Sequence, residues 1–389
     1  MKELKELNVG MIGYKFMGKA HSNAYAKVNM FFDADATVVR KAICGREESA
    51  LREAAQRFGW RETETDWKRL ASRKDIDIVD INAPSCFHKE MAIFAANEGK
   101  HVLCEKPLAF TTADAREIVE AAQKSGVRHQ VGFNYRFAPA VQVIRQLITS
   151  GRLGKIYHFR GHYLQDFIID PEFPKVWRLD KSVAGSGALG DLGAHVIDLA
   201  RFLVGDVKRV SGISKTFISE RPLPEGMTGL SGRASQDAPR AAVDVDDATS
   251  FIGEFECGAL LQIEATRFAA GHKNNLSFEI NGSKGSVRFS LERICELQYF
   301  DAGSDEGLQG FATISVTEGI HPYAGNWWPA GHVYGYEHTL VHEVYEFVQS
   351  VANGGAASPD FVDGLKCTQI MEAVDLSIAR GAWVDVDSL

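Results

Sequence analysis

The feature that most restricts how this chain can fold is the alternation of short apolar runs and helical patterns along its first third. Residues 7–12 (Leu-Asn-Val-Gly-Met-Ile) read as a buried strand, Gly13-Tyr14-Lys15-Phe16-Met17-Gly18 as a turn, and residues 19–26 as a helix. Further strands are expected at 37–44, 76–81, 101–104 and 127–131, with helices at 48–57, 87–97 and 114–124 between them. Continuous apolar strands separated by helices imply a parallel, doubly wound sheet, because parallel neighbours need a long crossover. An α/β domain is therefore expected over residues 1–134.

Strand, glycine turn and helix in that order give a dinucleotide fingerprint its meaning. Gly13 supplies the tight turn and Gly18 the close helix–strand approach, with pyrophosphate at the helix N-terminus. Lys15 stands where the middle glycine belongs, followed by Phe16 and Met17. It adds charge for the pyrophosphate, while its Cβ crowds the approach. The second strand ends in Gly45-Arg46, without the acid that binds the ribose 2′-hydroxyl of NAD. An arginine there accommodates the 2′-phosphate of NADP. Arg46 lying over the adenine or facing solvent is the plainer alternative. Both cofactors stay open, with NAD slightly preferred. Ala83-Pro84 ends the third strand, and His88 opens the next helix as either a cofactor contact or an ordinary helix-start histidine.

The run His101-Val102-Leu103-Cys104 stops at Glu105-Lys106-Pro107. Pro107 cannot donate to a sheet and biases Lys106 towards extended geometry. An ammonium thus lies at the C-terminal end of a buried strand, where open α/β sheets bind ligands. Simple pairing with Glu105 is the other reading. Tyr135 and Arg136 follow the last strand and are expected near the cleft or, for Arg136, in a domain-linking ion pair.

Beyond Gly151 the texture changes to strands at 155–164, 207–217, 247–255, 259–268 and 276–281, several alternating apolar and polar. Runs of strands after an α/β half imply an α+β domain, placed at 135–389, with an open, mostly antiparallel sheet. One face of such a sheet is free to pair with another subunit. The last helices, 337–351 and 361–380, are expected to pack back on the first domain. Residues 222–245, rich in Gly, Ser, Pro and Arg, read as a long loop, either a lid or a mobile connection.

Gly185-Ser186-Gly187-Ala188-Leu189-Gly190-Asp191-Leu192-Gly193-Ala194-His195 leads into a helical pattern. Asp191 and His195 are four apart, so on that helix they are expected to share one face. The plain alternatives are an N-cap aspartate and a buried histidine. No third ligand accompanies them at telling spacing, so no metal is expected. The aromatic stretch at 321–329 suits the apolar face of a sugar or packing against a neighbour.

A net charge of −8 argues against nucleic acid as the main partner. Six scattered cysteines without a C-x-x-C pair fit a reducing compartment. With no signal-peptide core and no long apolar span, no membrane role is expected and the cytoplasm is the default.

The glycine turn running into Gly18-Lys19-Ala20-His21, Glu105-Lys106-Pro107, and Asp191 with His195 and Asp198 together resemble the glucose–fructose oxidoreductase/inositol dehydrogenase (Gfo/Idh/MocA) family. Tyr163-Leu164-Gln165-Asp166, Trp177-Arg178 and Gly185 to Gly190 further resemble its levoglucosan dehydrogenase branch. The resemblance covers essentially the whole chain. It implies a Rossmann domain, a C-terminal sheet domain, and dimers or tetramers built through that sheet. It also implies NAD(P)-dependent oxidation of a secondary hydroxyl of a sugar, anhydrosugar or cyclitol. Carried over by motif, Lys106, Asp191 and His195 form the catalytic group. Gly13, Lys15, Phe16, Met17, Gly18, Arg46, Ala83, Pro84, His88, Glu105 and Lys106 face the cofactor; Tyr135, Tyr163, Gln165, Trp177 and Arg178 join the catalytic group around substrate. Two other classes share these residues: a glycosidase that uses its nicotinamide catalytically, and a non-catalytic dinucleotide sensor.

Overall fold

A computed structural model describes residues 4–224, 232–235 and 237–389 of the chain. It divides into two compact units, Met1–Ala138 with Thr317–Leu365, and Pro139–Val316 with Lys366–Leu389. The sequence placed the boundary at 134/135 and counted 317–365 with the second domain, with the last helices packing back on the first. That stretch instead contributes to the core of the first unit, for a reason visible in its helix.

In the first unit, β1 (Lys5–Ile12), β2 (Ala36–Cys44), β3 (Glu62–Glu64), β4 (Ile78–Ile81), β5 (His101–Cys104) and β6 (His129–Val131) form one parallel sheet ordered β3-β2-β1-β4-β5-β6. This is the doubly wound order whose strands fan out from a central switch point between β1 and β4. β4 is buried at all its positions, as a strand covered on both faces must be. The helix Phe16–Phe31 begins three residues earlier than expected and extends five beyond the expected end. Helix Thr112–Ser125 starts where Thr111 Oγ1 accepts the Asp114 N–H at 3.1 Å, capping its first turn. The short strand β3 carries no apolar alternation and escaped the sequence reading.

The helix Tyr336–Asn353 presents Leu340, Val341, Val344, Phe347 and Val348 at helical spacing, and these join Val9, Val28, Ile43 and Leu103 in one core. Burying each such side chain is worth about 1.5–3 kcal/mol, so the stripe holds the segment to the Rossmann unit. The aromatic stretch packs here too. Trp327 lies 4.3 Å from Phe31 between ring centroids, and Tyr323 stacks on His342 at 4.3 Å. Packing, not a sugar, accounts for these rings.

His342 is fully buried. The Trp327 indole only donates, and it donates to Nε2 at 2.7 Å, so Nδ1–H must donate to the Phe137 carbonyl at 2.9 Å. Burial pushes this histidine down to about 3, with the Phe137 carbonyl acting in the opposite direction. An unfolded histidine titrates near about 6.5. Stability from His342 is therefore present above that pH and is lost as pH falls towards the folded value, at about 1.4 kcal/mol per pH unit. Urea unfolding between pH 7 and pH 4 should show this slope in the natural protein and a flatter one in His342→Gln. Equal slopes would remove His342 as the cause.

The second unit is built on β7 (Ile156–Leu164), β8 (Val207–Lys215), β9 (Glu220–Pro222), β10 (Arg240–Ala242), β11 (Ala248–Phe255), β12 (Leu260–Thr266), β13 (Asn275–Gly282), β14 (Gly285–Ser290), β15 (Glu296–Asp301), β16 (Ala312–Ser315) and β17 (Val384–Asp385). Nine of them form a sheet ordered β16-β15-β14-β13-β7-β12-β11-β8-β17, antiparallel except for the β7–β12 pair. Alternation such as exposed-buried-exposed-buried along β12 sends one face to a core with Phe159, Phe255 and Phe278. The other face carries Ile213, Ile252 and Leu260, each at least half exposed. The expected long loop is framed by β9 and β10, which pair as a short ribbon; residues 225–231 and 236 of it lie outside the described residues, and with them the question of a lid. Among the described residues, no helix is long and apolar enough to cross a membrane.

Candidate active site

In the first unit, the candidate residues collect at the C-terminal ends of the parallel strands, where the sheet order reverses. Gly13 has φ of +106°, a left-handed geometry open to glycine, and a Cβ there would sit 2.6 Å from the Asn82 carbonyl. A Cβ on Gly18 would sit 2.2 Å from the Gly13 carbonyl. The turn thus brings the helix start hard against the strand end, leaving first-turn N–H groups to face an anion. Lys15 is the exposed residue before the helix, with φ of −84°, so its backbone makes no demand for glycine. These residues fit a dinucleotide.

Phe16 is half exposed and stacks on Tyr336 at 6.3 Å, and Tyr336 Oη reaches Met17 Sδ at 3.7 Å. The Tyr336 ring also meets Tyr135 edge-on at 6.3 Å. Tyr336 is a neighbour of the glycine turn that the sequence did not disclose, since nothing local ties it there. At the end of β2, Tyr14 covers Gly45, and Arg46 is exposed.

Ala83 and Pro84 follow β4, and Glu105-Lys106 follows β5. His88 is buried with Nδ1 at 2.8 Å from the Pro107 carbonyl and Nε2 at 2.9 Å from the Ala83 carbonyl. Burial lowers the pKa of this histidine, and a neutral ring has one N–H, so it donates to one of the two carbonyls while buried between the two strand-end loops. The buried side chain fits the plainer expectation, an ordinary helix-start histidine, better than a cofactor contact. Beneath these loops His21 contacts both Asp80 and Glu105. Arg136, 3.2 Å from Asp363, pairs within the first unit.

In the second unit, Leu189–Gly193 form a π-helical turn that runs into the helix Ala194–Leu203. Such turns interrupt the regular side-chain spacing and recur at functional sites. Asp191 sits inside the turn and His195 in the helix after it, so their offset is not that of a regular α-helix. Nor is Asp191 the cap. Asp246 takes that part, its carboxylate accepting the Gly187 N–H at 2.6 Å and the Leu189 N–H at 2.8 Å. His195 is 8% exposed, with the Tyr163 ring 6.0 Å away.

Asp191 Oδ2 lies 3.3 Å from Arg267 Nη2 and 3.9 Å from Arg178 Nε. Arg178 stacks over Trp177 at 4.4 Å, leaving Trp177 38% exposed. Tyr163 Oη and Gln165 Nε2 both donate to Asn274 Oδ1, at 2.7 and 2.8 Å. The expected pocket residues Tyr163, Gln165, Trp177, Arg178, Asp191 and His195 are thus all in this unit. Arg267, Asn274 and Asp246 support them and were missed. Asn274 had no sequence signal, whereas Arg267 did: an arginine directly after an alternating strand. Among the described residues there is no cluster of three His, Cys, Asp or Glu side chains fit for a metal.

Arg267 is 1% exposed, and among the described residues its Nε and Nη2 have no hydrogen-bond partner. Its charge is matched by Asp191 and by Asp247, which is buried beside it. Breaking a buried ion pair costs about 3–5 kcal/mol. Asp191 keeps partial solvent access, so Arg267→Met should fall at or below the lower end, about 3 kcal/mol. Thermal unfolding and the KM for substrate report it together: a lower melting temperature with a raised KM is expected, and an unchanged KM would detach Arg267 from the pocket.

Residues 7–133 match the family described as "Oxidoreductase family, NAD-binding Rossmann fold", and residues 141–288 match the "GFO/IDH/MocA C-terminal domain". The fold and these two matches are those of a dinucleotide-binding oxidoreductase. Levoglucosan dehydrogenase of Pseudarthrobacter phenanthrenivorans is 43% identical over 99% of this chain and 100% of its own. Levoglucosan dehydrogenase solved with NADH and levoglucosan superposes with a TM-score of 0.92 at 43% identity, covering 98% of this chain and 100% of that one. An oxidoreductase domain protein from Kribbella flavida gives 0.93 at 46% identity, covering 98% and 100%. The chain belongs to the GFO/IDH/MocA oxidoreductase family.

Proposed function

We propose that the protein oxidises a secondary hydroxyl of a sugar, anhydrosugar or cyclitol, with NAD as the preferred hydride acceptor. The observation that carries this reading is the end-to-end likeness to levoglucosan dehydrogenase, including the form solved with NADH and levoglucosan. When bound, the dinucleotide supplies the acceptor for the hydride. The Gly13–Gly18 turn and Lys15 hold its pyrophosphate, and exposed Arg46 lets NADP serve less well.

His195 takes the hydroxyl proton as general base. Lys106 donates a hydrogen bond to the same oxygen and stabilises the charge that develops there. Asp191, anchored by Arg267 and Arg178, orients the substrate. Tyr163, Gln165, Trp177 and Arg178 form a wall with polar edges and one aromatic face, suited to a polyol ring.

The half-exposed apolar residues on the open sheet face support assembly of two or four copies through that face. Sedimentation showing only monomer would oppose it. Among the described residues none of the six cysteines forms a disulfide, which supports a cytoplasmic, reducing setting.

The test is a panel of sugars, anhydrosugars and inositols with NAD and with NADP, following nicotinamide absorbance and product together. Net NADH with a keto product is expected. Sugar release without net NADH would point to the glycosidase, and no response from any polyol to the sensor.

A further inference from the structure

His21, three residues past Gly18 in the fingerprint helix, is 0% exposed, and its environment is unusual. Nδ1 lies 2.9 Å from Asp80 Oδ2 and Nε2 lies 3.1 Å from Glu105 Oε1. An ionised carboxylate only accepts, and a neutral imidazole has a single N–H. Satisfying both ionised carboxylates takes two N–H groups, hence an imidazolium.

The remaining oxygens are also engaged. Asp80 Oδ1 accepts from Asn82 Nδ2 at 2.8 Å, and Glu105 Oε2 accepts the Lys106 backbone N–H at 3.2 Å. Gly132 closes the far side, where a Cβ would sit 2.7 Å from Glu105 Oε1. Other titratable groups face this cluster: its carboxylates act on Tyr25 from the helix of His21 itself, on Tyr336 from the returning helix, on Cys104 at the end of β5 and on His88 at the strand-end loop, while Glu343 acts on the two tyrosines and Lys106 on His88. Each carboxylate comes from a different strand end, Asp80 in β4 and Glu105 just past β5, and His21 is the cation between them.

We propose that His21, clamped as an imidazolium between Asp80 and Glu105, is a positioning residue that fixes the Glu105 carboxylate and, through it, the peptide carrying Lys106. The claim rests on the reading of Lys106 as the group that meets the reacting oxygen. Burial opposes a charge on His21, but Asp80 and then Glu105 more than offset it and raise its pKa well above the usual imidazole value. Loss of that proton leaves two buried carboxylates facing a neutral ring, and the Lys106 peptide loses its anchor.

Two measurements test this. Nitrogen-15 NMR of histidine-labelled protein at pH 8 should show both His21 ring nitrogens protonated, assigned by their disappearance in His21→Gln. A neutral His21 ring overturns the proposal whatever the enzyme turns over. The second is a double-mutant cycle with His21→Gln, Glu105→Gln and the pair, reading kcat, KM and NAD affinity. Coupling predicts that each single change lowers kcat at least about tenfold with a smaller effect on KM, and that the pair is no worse than the poorer single. Losses that multiply, or that fall on NAD affinity alone, overturn it. Failure of the functional reading shows already in the unmutated protein as inactivity on every polyol, whereas failure of this proposal shows in the ring protonation and the variants.

Discussion

Lys106→Met is expected to reduce kcat by about 10²–10³-fold or more while NAD affinity stays within a few-fold of the natural protein. The magnitude is that of removing one donor to a developing oxyanion. Methionine keeps the length and flexibility of the lysine stem, so the loss isolates the ammonium from its packing. The strand β5 ends at Cys104, and past it the Lys106 peptide is held by the side chain of Glu105, whose Oε2 accepts the Lys106 N–H. Changing the side chain at this position leaves that backbone bond in place. The dinucleotide turn lies at the end of β1, a different strand. Fluorescence titration with NAD, beside steady-state kinetics, separates the two effects. Turnover close to the natural protein would remove the ammonium from the chemistry.

His195→Asn carries the second large effect, a loss of about 10²–10⁴-fold in kcat/KM. An imidazole exchanges its proton across neutral pH, and an amide does not. The natural protein should therefore lose kcat/KM on the acid side of neutrality as the base is taken up by protons, and the variant should lack that limb. His195 lies in the first turn of the helix Ala194–Leu203, just past the π-helical turn that carries Asp191. Asparagine is smaller and still polar, so the helix should survive. A variant with the same pH profile as the natural protein would make His195 a packing residue.

The pattern of apolar runs exposed the doubly wound sheet because parallel strands buried on both faces cannot hide their composition. Five of its six strands were placed; β3, three polar residues at an edge, carries no such mark. The place of Lys106 just past a strand end was legible because Pro107 closes the apolar run ahead of it. The π-helical turn was not, since Gly187, Gly190 and Gly193 are equally compatible with a loop or a regular helix start. Asp246 decides between them by capping from a distant segment. The same holds for Arg267 and Asn274, whose partners Asp191, Tyr163 and Gln165 lie far away in the chain. The return of residues 317–365 to the first unit was only half visible: the helix at 336–353 was expected to pack back on the first domain, but the aromatic stretch before it carries no periodic stripe to assign it, and the last helix divides between the units at 365/366.

A crystal structure of the protein with NAD and a polyol from the panel tests the central claim most directly. Lys106 Nζ and a ring nitrogen of His195 should both lie within about 3.2 Å of one substrate hydroxyl, whose carbon faces the nicotinamide. Either nitrogen turned away from that oxygen, with the carbon still facing the nicotinamide, would contradict the account.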